Sequence, residues 1–213
     1  MSVAPEASTR PVLIGRSSSH FTRIPRIFAA ELGAPYDFQV VRDLMSSNPG
    51  DYGGNPALRI PVLKTSEGSW FGALNISREF WRRSGRSLRV VWPEDHDVPL
   101  LANLQEIALQ AMATEVSLVM GRLGGGGEDS AHHAKLRKSL TAMLAWLEEH
   151  APAGLEALPA RDLSFLEATL FCLVVHLEFR EVLPMAGYTN LQAFCRRFGA
   201  RASAVETTFK FDV

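Results

Sequence analysis

The row Ser17–His20 places three hydroxyl groups and an imidazole between two different patterns. The apolar run Val12–Ile14 before it is typical of a strand, and the segment after it, which ends at Gly33, is typical of a helix closed by glycine. A hydroxyl group at such a junction can donate a hydrogen bond to an anion, and the helix dipole there favours the same negative charge. The row is therefore either a site of chemistry or a serine-rich polar loop.

The elements that must position this row follow an alternating order in residues 11–85. Strands are predicted at 11–14 and 36–41, helices at 25–32 and 74–84, and a hairpin at 61–71. A turn-rich segment at 45–55 separates the second strand from the hairpin. A right-handed crossover makes the first two strands parallel, while the hairpin adds antiparallel strands. The sequence thus predicts a domain in which β-α-β is followed by β-β-α.

The rest of the chain has a different pattern, with a linker at 86–98 and helical periodicity over 99–213. Helices are predicted at 100–123, 131–150, 164–179 and 191–198. The Gly124–Gly127 run lacks the lysine and the preceding strand of a phosphate loop, so it is interpreted as a connection between helices. Ser164 and Glu167 have the spacing of a capping box, in which each side chain binds the other residue's backbone amide. The second domain is therefore predicted to be all helical.

The composition excludes several classes of partner and site. A net charge of −1 with 46% apolar residues gives no reason to expect nucleic acid or a membrane surface as partner, and the apolar run Ala168–Leu177 is too short to span a bilayer. Residues 1–10 have no apolar segment of a secretory signal and are predicted to form a disordered tail. Cys172 and Cys195 lie in apolar helical patterns, which favours a cytoplasmic protein with two buried thiols and no metal site.

Basic side chains are concentrated where the first domain meets the linker. The arginines lie at positions 78, 82, 83, 86 and 89. A charge run that ends a helix is typical of a solvated surface, and an anionic ligand is the alternative.

Three segments carry a family resemblance. Ser19–Arg26 reads S-H-F-T-R-I-P-R and continues to Gly33, Asn55–Leu63 reads N-P-A-L-R-I-P-V-L, and Tyr188–Phe194 reads Y-T-N-L-Q-A-F. They resemble the S-P-x-S-R-x-V-R…E-x-G, N-P-x-G-K-V-P-V-L and Y-P-N-L-x-x-W elements of the cytosolic glutathione transferase family, of the bacterial-type serine class. The resemblance covers nearly the whole chain. It implies a thioredoxin-like βαβ-ββα domain followed by an all-helical bundle.

By this resemblance, Ser19 falls on the family's catalytic serine or cysteine. A free thiol has a pKa of about 8.5, so it is mostly protonated at neutral pH, and the thiolate is the nucleophile. Ser19 would stabilise the thiolate of glutathione by a hydrogen bond at the helix N-terminus, with Thr22 as the expected N-cap. Ser17 and Ser18 are then loop residues, and His20, where the family usually has proline, is expected to be exposed.

The resemblance also implies a cis peptide at Ile60–Pro61, which turns the backbone N–H and C=O of Ile60 outward to pair with the cysteinyl part of glutathione. Arg59 stands where a lysine often approaches the glycyl carboxylate, and a solvated arginine is the alternative. The family usually has Glu/Gln-Ser at the start of the next helix, and these side chains hold the γ-glutamyl group. Here the residues are Gly72–Ala73, so backbone amides remain for a carboxylate. Asn75 is a partial substitute or a capping residue.

The sequence therefore leaves two hypotheses about function. In the first, a homodimeric enzyme uses glutathione as co-substrate, without a metal, and conjugates it to an apolar electrophile. The acceptor pocket would be lined around Leu104–Val119, where Ala111, Met112, Ala113 and nearby Met120 are found. In the second, a non-enzymatic scaffold of the same fold binds a protein or another small ligand, as Gly72–Ala73 favours. A disulfide reductase of the cysteine type is disfavoured because Ser19 cannot form a mixed disulfide.

Overall fold

The computed structural model of the chain describes residues 10–123 and 130–212. The predicted tail, apart from residue 10, and the Gly124–Gly127 connection lie outside the described residues. The described chain divides into two compact units, one formed by the residues up to Arg86 together with 210–212, the other by Ser87–Phe209. Most of the predicted linker thus belongs to the second unit, and the last described residues belong to the first.

Four short strands of the first unit form one mixed sheet in the order β2-β1-β3-β4. They are β1 (Val12–Gly15), β2 (Asp37–Val40), β3 (Val62–Thr65) and β4 (Gly68–Phe71). β1 runs parallel to β2 and antiparallel to β3, and β3 pairs antiparallel with β4. The predicted parallel pair and the predicted hairpin are confirmed. A 3₁₀ turn, Pro49–Tyr52, occupies the turn-rich segment, and Tyr52 packs with Ile14, Val41 and Val62 in the core.

Two helices, α1 (His20–Leu32) and α2 (Ala73–Ser84), pack against each other in this unit. α1 begins five residues before its predicted start because Ser19, and not a residue near Pro25, provides the N-cap. Pro25 therefore lies inside the helix, where it cannot donate a backbone hydrogen bond. Burial of Ile24, Ile27 and Phe28, each with no exposed surface, stabilises the helix despite this loss.

The second unit is built mainly from helices. They are α3 (Pro99–Leu123), α4 (Ala131–Ala157), α5 (Phe165–Phe179), α6 (Thr189–Gly199) and α7 (Ala202–Glu206). α5 is the core helix, since most of its residues are buried on every side, as its apolar sequence predicts. The all-helical expectation needs one amendment: β5 (Val90–Val91) and β6 (Leu163–Ser164) form a two-residue parallel pairing.

The N-terminus of α5 is fixed by the predicted Ser164 cap. The Ser164 Oγ accepts from the Glu167 backbone N–H at 3.0 Å, and its own hydroxyl donates to the Glu167 carboxylate at 2.8 Å. That carboxylate also accepts two hydrogen bonds from Arg161 at 2.7 and 2.8 Å. Only half of the predicted capping box therefore forms among the described residues. The Glu167 carboxylate binds the Ser164 hydroxyl and the Arg161 guanidinium, and not the Ser164 backbone N–H.

Neither Cys172 nor Cys195 forms a disulfide, and both thiols are buried, as predicted. His176 is also buried in α5, and its Nδ1 lies 2.6 Å from the Glu115 carboxylate of α3. None of the described helices combines the length and the apolar character that crossing a membrane requires.

Candidate functional site

The junction between β1 and α1 leaves one serine of the row partly exposed to solvent. Ser17 and Ser18 are each only 2% exposed and His20 is 1% exposed, whereas Ser19 between them is partly exposed. Ser19 is the N-cap of α1, and its Oγ accepts from the Thr22 backbone N–H at 3.2 Å. Because the oxygen is used as the acceptor, the hydroxyl hydrogen can donate to a group outside the protein. Position and exposure therefore favour Ser19 over its two neighbours.

Two expectations about this junction were wrong. Thr22 is not the N-cap; it lies in the first turn of α1, is fully buried, and its Oγ1 has no hydrogen-bond partner among the described residues. His20 is not exposed, because it is the first residue of α1 and its ring packs edge-on against Phe21 at a centroid distance of 4.7 Å. Both errors follow from placing the start of the helix too late.

Gly15 allows the junction to pass close to α1, a role that the sequence analysis missed. A Cβ atom at Gly15 would lie 2.5 Å from Cγ2 and 2.6 Å from Oγ1 of Thr22, which is too close for any other residue. The available signal was a glycine directly after an apolar strand, where a close backbone approach is common.

The segment that leads to Pro61 is held by the side chain of Asn55. Its Nδ2 donates to the Arg59 carbonyl at 2.8 Å, and its Oδ1 accepts from the Ala57 N–H at 3.0 Å. The Ile60–Pro61 peptide is cis, as expected. The Ile60 side chain packs on the core beside Tyr52, while no described residue makes a hydrogen bond to its backbone. The N–H and C=O of Ile60 are therefore available to a peptide-like ligand.

The register of β1 and β3 places the serine junction and the cis proline at the same end of the sheet. Ile14 of β1 is opposite Val62 of β3, so the chain that leaves β1 toward Ser19 passes beside the chain that enters β3 through Pro61. The start of α2 lies at this end as well, because the Gly72 N–H donates to the Pro61 carbonyl at 3.3 Å. Three segments predicted to bind one ligand thus meet at one end of the sheet.

The N-terminus of α2 has no side-chain cap. Gly72 is the N-cap residue, with φ 83° and ψ 150°, and in the described chain the amides of Ala73, Leu74 and Asn75 have no side-chain acceptor. The Asn75 side chain donates back to the Phe71 carbonyl at 3.1 Å, so it is bound within the protein but does not cap these amides. Arg59 is exposed, and its guanidinium forms no ion pair with any described residue. The site therefore offers backbone amides and, in Arg59, an exposed cation.

Most of the arginine run is already paired inside the protein. Arg82 and Arg83 bind both Glu67 and Glu79, Arg86 donates to the Glu31 carbonyl at 3.2 Å, and Arg89 pairs with Asp162 at 3.1 Å. The interpretation as a charged surface is favoured over an anion site.

The segment expected to line an acceptor pocket is largely part of the core of the second unit. Leu104, Ala111 and Met112 are at most 1% exposed, whereas Ala113 is exposed and Met120 is partly exposed. The same helix buries two polar residues that the apolar pattern concealed. Gln105 donates to Thr169 at 3.3 Å, and Glu115 binds His176.

No family model matches this sequence, and no curated protein matches it. Solved structures do. A glutathione S-transferase from Methylobacillus flagellatus KT with glutathione bound is 25% identical, and the alignment covers 94% of this chain and 100% of that one with a TM-score of 0.75. A glutathione S-transferase from Methylobacterium radiotolerans in complex with glutathione sulfonate is 21% identical over 96% and 98% of the two chains, with a TM-score of 0.72.

A glutathione transferase family member from Pseudomonas fluorescens Pf-5 with bound glutathione is 19% identical over 94% of this chain and 99% of that one, with a TM-score of 0.74. These alignments span both units of the chain. The protein thus has the glutathione transferase fold, a thioredoxin-like domain followed by a helical domain.

Proposed function

We propose that this protein is a glutathione transferase-like enzyme that conjugates the thiolate of glutathione to an apolar electrophile. The observation that carries this proposal is the Ser19 N-cap, a partly exposed residue whose hydroxyl oxygen accepts from the Thr22 N–H and whose hydroxyl hydrogen can donate to a thiolate. The fold shared with glutathione-bound proteins supports glutathione as the ligand.

Three groups bind the tripeptide in this proposal. The backbone of Ile60 pairs with the cysteinyl residue as a short added strand. The free amides at the start of α2, with the positive end of the helix dipole, receive the γ-glutamyl carboxylate next to Ala73. Arg59 approaches the glycyl carboxylate. Pro61 connects two of these groups, since it directly follows Ile60 and its carbonyl accepts from the Gly72 N–H at the start of α2.

Ser19 supplies the chemistry. A hydrogen bond from its hydroxyl and the dipole of α1 stabilise the thiolate over the thiol, which lowers the thiol pKa and raises the fraction of nucleophile at neutral pH. The thiolate then attacks the electrophile, and the same hydroxyl remains bound to the product sulfur. The thiol proton passes to solvent, and the new C–S bond either displaces a leaving group such as halide or, with an enone, gives an enolate that takes up a proton from solvent.

Binding of glutathione is expected to be weak because Gly72–Ala73 carry no polar side chains. Calorimetric titration with reduced glutathione tests this directly. A millimolar to high micromolar dissociation constant is expected, and Ala73→Ser should strengthen binding by about 0.5–1.5 kcal/mol, the usual value of one added hydrogen bond. Absence of binding at millimolar glutathione in both proteins would reject the proposal.

The alternative is a non-enzymatic scaffold of the same fold that binds a protein or another small ligand. The uncapped start of α2 at Gly72 favours this alternative, because no side-chain cap there is available to recognise the γ-glutamyl group of glutathione. Glutathione binding without conjugation of any aryl halide or enone would support this alternative. For either function we propose a homodimer in the cytoplasm; two cysteines that form no disulfide are in keeping with a reducing compartment.

A further inference from the structure

The last described residues of the chain contact the serine row. The Asp212 Oδ2 accepts a hydrogen bond from the Ser17 backbone N–H at 2.8 Å, across 195 positions of sequence. Residues 210–212 belong to the first unit, together with the sheet and the β1–α1 junction. The residues that follow the helical unit therefore complete the first unit at its candidate site.

The hydrogen bond falls on a tight turn that ends at Ser19. The Ser19 N–H donates to the Arg16 carbonyl at 3.1 Å, so Ser17 and Ser18 are the central residues of the turn. Ser17 is buried, and a buried N–H without an acceptor destabilises the conformation that buries it. Asp212 supplies this acceptor. Since Ser19 both closes the turn and caps α1, the geometry of the turn sets the direction of its hydroxyl.

We propose that Asp212 is a positioning residue for Ser19. It does not contact the ligand: it anchors the turn from Arg16 to Ser19, and the anchored turn presents the Ser19 hydroxyl to the thiol. The catalytic part of this inference rests on the proposed function, whereas the anchoring itself does not.

Substitutions of Asp212 can separate its hydrogen-bond acceptor from its negative charge. A carboxylate acceptor makes a stronger hydrogen bond than a neutral oxygen, but an amide oxygen has the same shape and can also accept. Asp212→Asn therefore retains the acceptor and removes the charge, while Asp212→Ala removes both. Lys210 is exposed and is not placed in the site, so Lys210→Ala is a matched control in the same segment.

Amide hydrogen exchange tests the anchoring without a ligand. In Asp212→Ala, exchange at the Ser17 amide should accelerate at least tenfold, and exchange at the Thr22 amide, which is bound by the Ser19 Oγ, should accelerate several-fold. Asp212→Asn and Lys210→Ala should stay within about twofold of the wild type at both amides. If only the Ser17 amide responds, or neither responds, Asp212 does not position Ser19 and the inference is overturned.

Kinetics with glutathione test the catalytic consequence. Asp212→Ala should lower kcat about tenfold near neutral pH and move the rising limb of the pH profile upward by about one unit, with KM for glutathione within about twofold. Asp212→Asn should recover most of kcat. A conjugating wild type with an unaffected Asp212→Ala would reject the inference and leave the proposed function intact. A wild type that neither binds nor conjugates glutathione would reject the function, and the exchange data would then decide the anchoring alone.

Discussion

At the scale of single residues, Ser19 combines an observed structural task with a proposed chemical task in one hydroxyl group. Its oxygen satisfies a backbone donor at the start of α1, and its hydrogen can serve a ligand. These tasks make different demands, because an N-cap needs only an acceptor and a thiolate needs only a donor. Substitutions can therefore separate them.

Ser19→Ala should lower turnover by roughly one to three orders of magnitude, the effect of losing one preorganised donor to an anion. It should also lower the free energy of unfolding by about 1 kcal/mol through loss of the cap. Ser19→Asp retains a cap but places a negative charge beside the thiolate, so it should be inactive and as stable as the wild type. Steady-state kinetics and thermal unfolding measure both. Ser17→Ala is the control, because the bond from Ser17 to Asp212 is made by the Ser17 backbone N–H, which the substitution retains. An equal loss of activity in Ser17→Ala would show that the wrong serine was chosen.

The family resemblance of a short motif was enough to predict the cis Ile60–Pro61 peptide, whereas the roles of Ser19 and Ile60 toward a ligand stay predictions. Local sequence was not enough to predict the start of α1. Pro25 suggested a first turn, and only the burial of Ile24 and Phe28 in the folded unit explains a helix that extends across it. The exposure of His20 was misjudged for the same reason.

At the scale of secondary-structure elements, a buried carboxylate connects the β3–β4 hairpin with α2. The Glu79 side chain is 1% exposed and binds Arg82 and Arg83, which both reach Glu67 in the hairpin turn. Burial raises the pKa of Glu79, but hydrogen bonds and charge from the two arginines outweigh it, and the net pKa lies below the usual value. A depressed carboxyl pKa stabilises the folded state above the unfolded-state pKa, and this contribution is lost as the pH falls through the folded-state pKa.

Glu79→Gln should therefore lower the free energy of unfolding at pH 7 by about 1.5–3 kcal/mol, the usual value of hydrogen bonds to a charged group. The difference from the wild type should shrink as the pH falls below about 4.5, where the unfolded carboxyl takes up its proton. Denaturant titrations at several pH values measure this. Glu67→Gln is the matched control, because Glu67 is 58% exposed and its ion pairs should contribute less than about 1 kcal/mol. Equal losses in both variants would contradict the role of burial.

The end of α1 depends on a glycine that no other residue can replace without strain. Gly33 has φ 60°, and a Cβ there would lie 2.6 Å from the Arg86 guanidinium. Gly33→Ala should lower the free energy of unfolding by about 1–2 kcal/mol because of the left-handed backbone and the displaced arginine. Gly187 has open space around its Cβ position, so Gly187→Ala should change the free energy of unfolding by less than about 0.5 kcal/mol. Calorimetric unfolding of the two variants compares them, and a neutral Gly33→Ala would be inconsistent with strain.

At the scale of the whole molecule, two large aromatic side chains of the first unit are unusually open. Phe71 at the end of β4 is 38% exposed and Trp81 on α2 is 42% exposed. Exposed tryptophan is costly in water and is enriched at the centres of protein interfaces. We expect the proposed homodimer to bury it.

Sedimentation should give a mass of about twice the 23.5 kDa chain, and Trp81→Glu should raise the dimer dissociation constant at least tenfold. Val205→Glu is the control, because Val205 is 64% exposed in the second unit and belongs to no proposed interface. A wild-type mass near a single chain at every concentration would remove the dimer.

The two-unit organisation was only partly accessible from sequence. Alternating elements and then helical periodicity predict two kinds of unit, because each pattern is local. The return of residues 210–212 to the first unit has no local signal, since Lys210, Phe211 and Asp212 have no periodicity and their partner is far away in the sequence. Long-range contacts of this kind are visible only in the folded chain.

The bond between Asp212 and Ser17 has a consequence for the order of events during protein synthesis. The sheet and the first two helices leave the ribosome early, but the acceptor for the Ser17 amide is 195 residues behind it. At a translation rate of about 5–20 residues per second, the first unit waits roughly 10–40 s for its last hydrogen bond. During that time the turn that carries Ser19 lacks its anchor, so a nascent chain that has already folded its first unit does not yet have the Ser19 geometry of the finished protein.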